Sequence, residues 1–95
     1  MYIVSVQAHY DSAHFLRNYH GKCERMHGHR FKVVIRGKSP SVGPDGMAYD
    51  FAEMKRHLRE EVSHLDHVCL NELDDFASAP PSSENIAAWL FTRLE

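Results

Sequence analysis

The chain has 95 residues, 43% of them hydrophobic and 11% aromatic, which is enough for one modest core and excludes both a multidomain machine and a disordered chain. Eleven basic and thirteen acidic residues leave a net charge of −2, and two cysteines cannot build a multi-disulfide scaffold. No apolar run approaches the roughly 20 residues that cross a bilayer, and Met1 to Val6 resembles no signal peptide, so the expected setting is the cytoplasm without a membrane span.

Tyr2, Val4, Val6, Ala8 and Tyr10 alternate with a mostly polar set, which predicts a strand over residues 2–10 with one buried face. If that strand continues through Asp11-Ser12-Ala13, the same face carries His14. Residues 17–25 show no apolar period and read as a loop holding Cys23. From His27 to Ile35 the period of two returns, placing His27, His29, Phe31, Val33 and Ile35 on one face. Turn residues between Ser39 and Gly46 then predict a hairpin into a short strand, Met47 to Tyr49.

Asp50, with Glu53 three residues later, marks a helix start. Phe51, Met54, Leu58, Val62 and Leu65 form its apolar stripe. An irregular acidic segment ends at Pro80-Pro81, after which Ser82-Ser83-Glu84 opens a second helix with a stripe of Ile86, Trp89, Leu90 and Leu94. That helix ends in mid-pattern at Glu95. The expectation is one domain over 1–95, an α+β fold of an antiparallel sheet with two helices on one face, lacking a further C-terminal strand.

His27-Gly28-His29 on a strand sets two imidazoles on one face, with Cα atoms about 6.6 Å apart. His14, on the matching face of an antiparallel neighbour, adds a third nitrogen, and three histidines suit a zinc ion with one coordination position open. Cys23 lies between Lys22 and Arg25, a cationic setting that favours thiolate. It could be a fourth ligand that closes the site, or a free nucleophile or base beside an open metal. Asp66-His67 pairs an acid with an imidazole, as an oriented general base requires. Cys69, between Val68 and Leu70, reads as a buried small hydrophobe. Charge is lopsided: residues 17–38 carry a local +6 and residues 39–95 a local −7. The basic stretch could attract a phosphate-bearing ligand, although the aromatic-interleaved pattern of nucleic-acid binders is missing.

The set Ser12-Ala13-His14, Cys23-Glu24-Arg25-Met26-His27-Gly28-His29, Tyr49-Asp50-Phe51, Leu65-Asp66-His67 and Pro81-Ser82-Ser83-Glu84 closely resembles the 6-pyruvoyltetrahydropterin synthase and 6-carboxytetrahydropterin synthase family. The three residues between Cys23 and His27 resemble the carboxy-forming branch of queuosine (7-deazaguanine) biosynthesis. The resemblance implies a tunnelling fold and zinc on His14, His27 and His29. It implies that Cys23 abstracts a proton, that Asp66 and His67 complete its relay, and that Ser82 and Ser83 seat the pterin. It further implies a homo-oligomer, trimer or hexamer, whose sheets join into a β-barrel, and a C-terminal glutamate strand that this sequence stops short of. The expected reaction converts 7,8-dihydroneopterin triphosphate to 6-carboxytetrahydropterin, acetaldehyde and triphosphate. The rivals are the pyruvoyl-forming reaction and a non-catalytic zinc protein.

Overall fold

The computed structural model describes residues 1–15 and 27–94, and at His27 the backbone alone. Cys23 therefore lies outside the described residues. The first two elements are 13-residue strands, β1 (Tyr2–His14) and β2 (His27–Ser39), paired antiparallel along their whole length from Tyr2 opposite Ser39 to His14 opposite His27. β1 thus continues past Tyr10, and β2 past Ile35. One face of the ribbon is covered: Val6, Tyr10, Ser12 and His14 are buried, while Phe31, Val33 and Ile35 are half-buried opposite them. The period of two read from the sequence is this inside-outside alternation.

Helix α1 (Phe51–Val62) starts where expected, because the Asp50 carboxylate accepts hydrogen bonds from the backbone N–H groups of Ala52 and Glu53. Such a cap removes orphan donors at the helix start and is worth about 1 kcal/mol. Burial deepens along the helix. Phe51 is 60% exposed, Met54 is half-buried, and Leu58 and Val62 are buried against β1, so Phe51 does not belong to the packed stripe. The last stripe residue, Leu65, lies beyond the helical end and is fully buried. Helix α2 (Ser83–Leu94) packs against α1 and adds Ile86 and Leu90 to the same cluster, which Leu70 and Phe76 complete from two short 3₁₀ turns.

Met47 to Tyr49 is not a strand. The segment is folded back by local turn bonds instead: Gly43 N–H donates to the Met47 carbonyl, Gly46 N–H to the Gly43 carbonyl, and Met47 N–H to the Asp45 side chain. Those bonds use the backbone groups that a sheet ladder would need. Tyr49 then turns its ring onto β2. Its hydroxyl donates to the Lys38 carbonyl, and a Cβ placed on Gly37 would come within 2.8 Å of that ring. Glycine at 37 allows the close approach.

Tyr10 stacks on Phe31 with ring centroids 4.9 Å apart. Its hydroxyl is buried and, among the described residues, unpaired, and this burial pushes its pKa up to about 12. A buried hydroxyl without a partner loses its hydration and gains nothing in return. Tyr10→Phe is therefore expected to raise stability by about 1 kcal/mol in urea unfolding. A loss of similar size would show that the hydroxyl has a partner.

Candidate active site

The segment after α1 brings the site together. It returns along the end of β1, where Ala13 N–H donates to the Val68 carbonyl at 3.0 Å, His67 N–H donates to the Asp11 carbonyl at 2.6 Å, and Ala13 bridges Cys69 in parallel. The Ser12 hydroxyl also donates to the Leu65 carbonyl. This lateral pairing sets Asp66 and His67 beside the strand that carries His14. Cys69 is half-buried at the bridge rather than buried as expected, and it is a free cysteine.

His14 and His27 are direct partners in the sheet, and His29 is paired with Ser12 two positions along, so the three share one face of the ribbon. His14 is 8% exposed. Its Nδ1 lies 2.8 Å from the Pro81 carbonyl, which can only accept, so Nδ1 carries the proton and donates. That bond fixes the neutral tautomer with the lone pair on Nε2, the usual device for presenting an imidazole to a metal. The His14 and His29 ring centroids are 6.3 Å apart. Two imidazoles on one tetrahedral zinc stand roughly 5 Å apart by centroid, given a Zn–N bond of about 2.0–2.1 Å. His29 is exposed, and a ring shift of about 1 Å would bring the pair to that separation. His27's side chain lies outside the described residues, so its share in the site rests on the strand register.

Asp66 and His67 form a second cluster. The Asp66 carboxylate accepts from Asp11 N–H through Oδ1 at 2.9 Å and faces His67 Nδ1 through Oδ2 at 2.9 Å. The Asp11 backbone bond, assisted by His67, holds its carboxyl below the ordinary carboxylate range despite partial desolvation. Asp66 consequently stays ionised at neutral pH, and the stabilisation it lends is lost only as pH falls through its lowered pKa. His67 has φ +57°, in the left-handed region that non-glycine residues avoid. Such a backbone costs roughly 1–2 kcal/mol and is held here by the Asp11 carbonyl and the Asp66 carboxylate. Strain of this kind concentrates at functional sites.

Among the described residues, the ligand atoms of Asp11, Asp66 and His67 all lie within 4.8 Å of one another, a trio that could hold a metal ion. Sequence reading missed Asp11, whose backbone supplies both clamps on the relay. A carboxylate on the outward face of a strand carries no periodic signal. It also missed Pro81, which acts through its carbonyl. Arg30, within the basic stretch, has its guanidinium 3.9 Å from the Asp11 carboxylate. Lys22 and Arg25 lie outside the described residues. His29, His67, Asp11 and Arg30 nonetheless line one open cleft of about 470 Å³ at the end of the ribbon.

Ser82 and Ser83 follow Pro81 directly. The Ser82 hydroxyl accepts from Asn85 N–H and opens α2, while Ser83 is exposed. Both stand one or two residues from the carbonyl that orients His14.

A profile of the 6-pyruvoyl tetrahydropterin synthase family matches residues 3–95. The chain is 40% identical to a 6-carboxy-5,6,7,8-tetrahydropterin synthase of Synechocystis, over all of this chain and 76% of that protein. It is 37% identical to a putative 6-carboxy-5,6,7,8-tetrahydropterin synthase of Archaeoglobus fulgidus, over 97% of this chain and 75% of the relative. The fold matches the structure of the Caenorhabditis elegans 6-pyruvoyl tetrahydropterin synthase with a TM-score of 0.77 and 30% identity, covering 99% of this chain and 78% of that one.

Proposed function

The chain belongs to the 6-pyruvoyl tetrahydropterin synthase family, and from that premise we propose that it is a zinc-dependent 6-carboxy-5,6,7,8-tetrahydropterin synthase acting on 7,8-dihydroneopterin triphosphate. One observation carries the reading: the register that pairs His14 with His27 and leaves His29 on the same face, with His14 oriented by Pro81. Those three imidazoles would hold the zinc, which supplies Lewis-acid polarisation of the substrate's side-chain hydroxyls.

The remaining steps belong to the chain. The Cys23 thiolate, favoured by Lys22 and Arg25, removes a proton from the carbon side chain. His67, held by the ionised Asp66, exchanges protons with the hydroxyl oxygen. Triphosphate leaves by elimination as the proton is removed. Water then adds to the side-chain carbonyl next to the ring, and carbon–carbon cleavage leaves the carboxylate while the departing two-carbon fragment takes up a proton to become acetaldehyde. Ser82 and Ser83 seat the pterin ring beside His14. A free thiolate suits a reducing compartment, so the cytoplasm is the expected location.

Residues 1–95 form one pterin-synthase domain that assembles into a homo-oligomer, trimer or hexamer. The exposed Ile3 and Val34 on the uncovered sheet face, and Phe91 on α2, support that assembly. The product belongs to queuosine biosynthesis, by likeness to the carboxy-forming relatives. The second reading, pyruvoyl formation, is favoured by the likeness to the nematode structure. Zinc-loaded protein supplied with dihydroneopterin triphosphate should release acetaldehyde and triphosphate in equal amounts. Triphosphate without acetaldehyde identifies the pyruvoyl branch, and no triphosphate defeats both.

A further inference from the structure

Between β1 and α1 lies a separate cleft of about 440 Å³, lined by Gln7 and His9 from the strand and by Lys55 and Arg59 from the helix, with Asp66 at its end. Lys55 and Arg59 are four residues apart, one turn along the same helical face, where like charges repel. Among the described residues three other cations are matched, whereas Lys32, Arg36 and Lys38 on β2 have no acidic partner, and Lys32 is the sheet neighbour of His9 in this cleft. Arg56 sits 2.9 Å from Glu60, Arg30 3.9 Å from Asp11, and Arg93 bonds Glu61. Lys55 and Arg59 have no acidic partner among the described residues. Asp66, the one acid lining the cleft, has its carboxylate turned to Asp11 N–H and His67.

Lys55 and Arg59 are exposed, and unneutralised cations gathered along a concave surface raise the local concentration of anions. A guanidinium offers a forked pair of donors to a phosphoryl group, and an ammonium adds a mobile point charge. We infer that this cleft is an anion subsite that takes a polyphosphate chain, and that the chain is the triphosphate arm of the substrate. The Asp66–His67 pair stands between the two clefts, Asp66 lining this one and His67 the cleft that contains His29. A ligand whose carbon side chain lies at His67 would therefore extend its phosphates toward Arg59. The identity of the arm rests on the activity proposed above; the anion site itself does not.

Calorimetric titration of the full chain with inorganic tripolyphosphate tests the site, and steady-state kinetics tests the arm. Lys55→Ala/Arg59→Ala should weaken tripolyphosphate binding at least about tenfold, as expected for loss of charge-assisted bonds. It should raise KM for dihydroneopterin triphosphate by a similar factor with kcat little changed. Arg56→Ala, which removes a matched cation, should alter neither, and Lys55→Arg/Arg59→Lys should restore binding. Unchanged tripolyphosphate affinity in the double alanine variant overturns the subsite. Weakened tripolyphosphate binding with an unchanged KM overturns the assignment to the substrate's arm. If the wild-type protein binds tripolyphosphate at this cleft yet turns over no pterin, the subsite stands and the proposed activity fails.

Discussion

His29→Ala is expected to lower zinc affinity by more than about 100-fold and to abolish turnover while leaving the fold intact. The outer hydrogen-bond partner of a ligating histidine is commonly worth about 10–100-fold in affinity, so a ligand itself should be worth more. His29 is the informative position because it is exposed; its ring meets Phe31 edge-on with centroids 4.7 Å apart, but it is not in the buried cluster. His14 is buried, stands edge-on to Phe31 with centroids 5.2 Å apart and is tied to Pro81, so its removal would mix metal loss with structural loss. Zinc content after dialysis, read beside the circular dichroism spectrum, checks the result. Retained zinc in His29→Ala would move the metal to another donor set, of which Asp11, Asp66 and His67 is the convergent trio among the described residues.

Cys23→Ala should produce the opposite dissociation of effects. Zinc content should stay near that of the wild-type protein, and kcat should fall by about 10³-fold, within the 10²–10⁴ range for a group that transfers a proton in the rate-limiting step. Single-turnover assays on zinc-loaded protein check the number. Loss of zinc together with activity would mean that the thiolate closes the coordination sphere, which makes the site structural. Cys23→Ser helps to separate these outcomes, since a hydroxyl is a far poorer zinc ligand than thiolate and a far weaker base.

The legible parts of this molecule are those in which a local rule sets the structure. Alternation on two strands predicted that His14, His27 and His29 share a face, and the register pairs His14 with His27 as that parity requires. Asp50 was readable as a helix cap because its carboxylate acts within three residues of itself. Met47–Tyr49 failed because local turn bonds took the backbone groups that strand propensity would have paired. Phe51 has helical spacing, but spacing cannot report that packing begins one turn later. The return of residues 66–69 along β1 leaves no period in the sequence, and its clamp on Asp66 joins positions 55 residues apart. The Pro81 carbonyl that orients His14 is 67 residues away and involves no side-chain chemistry of its own. The strand face that carries the candidate histidines was therefore readable, while the backbone groups that orient His14 and Asp66 were not.

Zinc-edge X-ray absorption of the loaded protein is the most direct measurement of whether three strand histidines hold the ion and leave the sulfur unbound. The expected spectrum contains only nitrogen and oxygen scatterers at about 2.0–2.1 Å, with imidazole multiple scattering that weakens in His29→Ala. A sulfur scatterer near 2.3 Å would contradict the account, because it would place a thiolate on the metal.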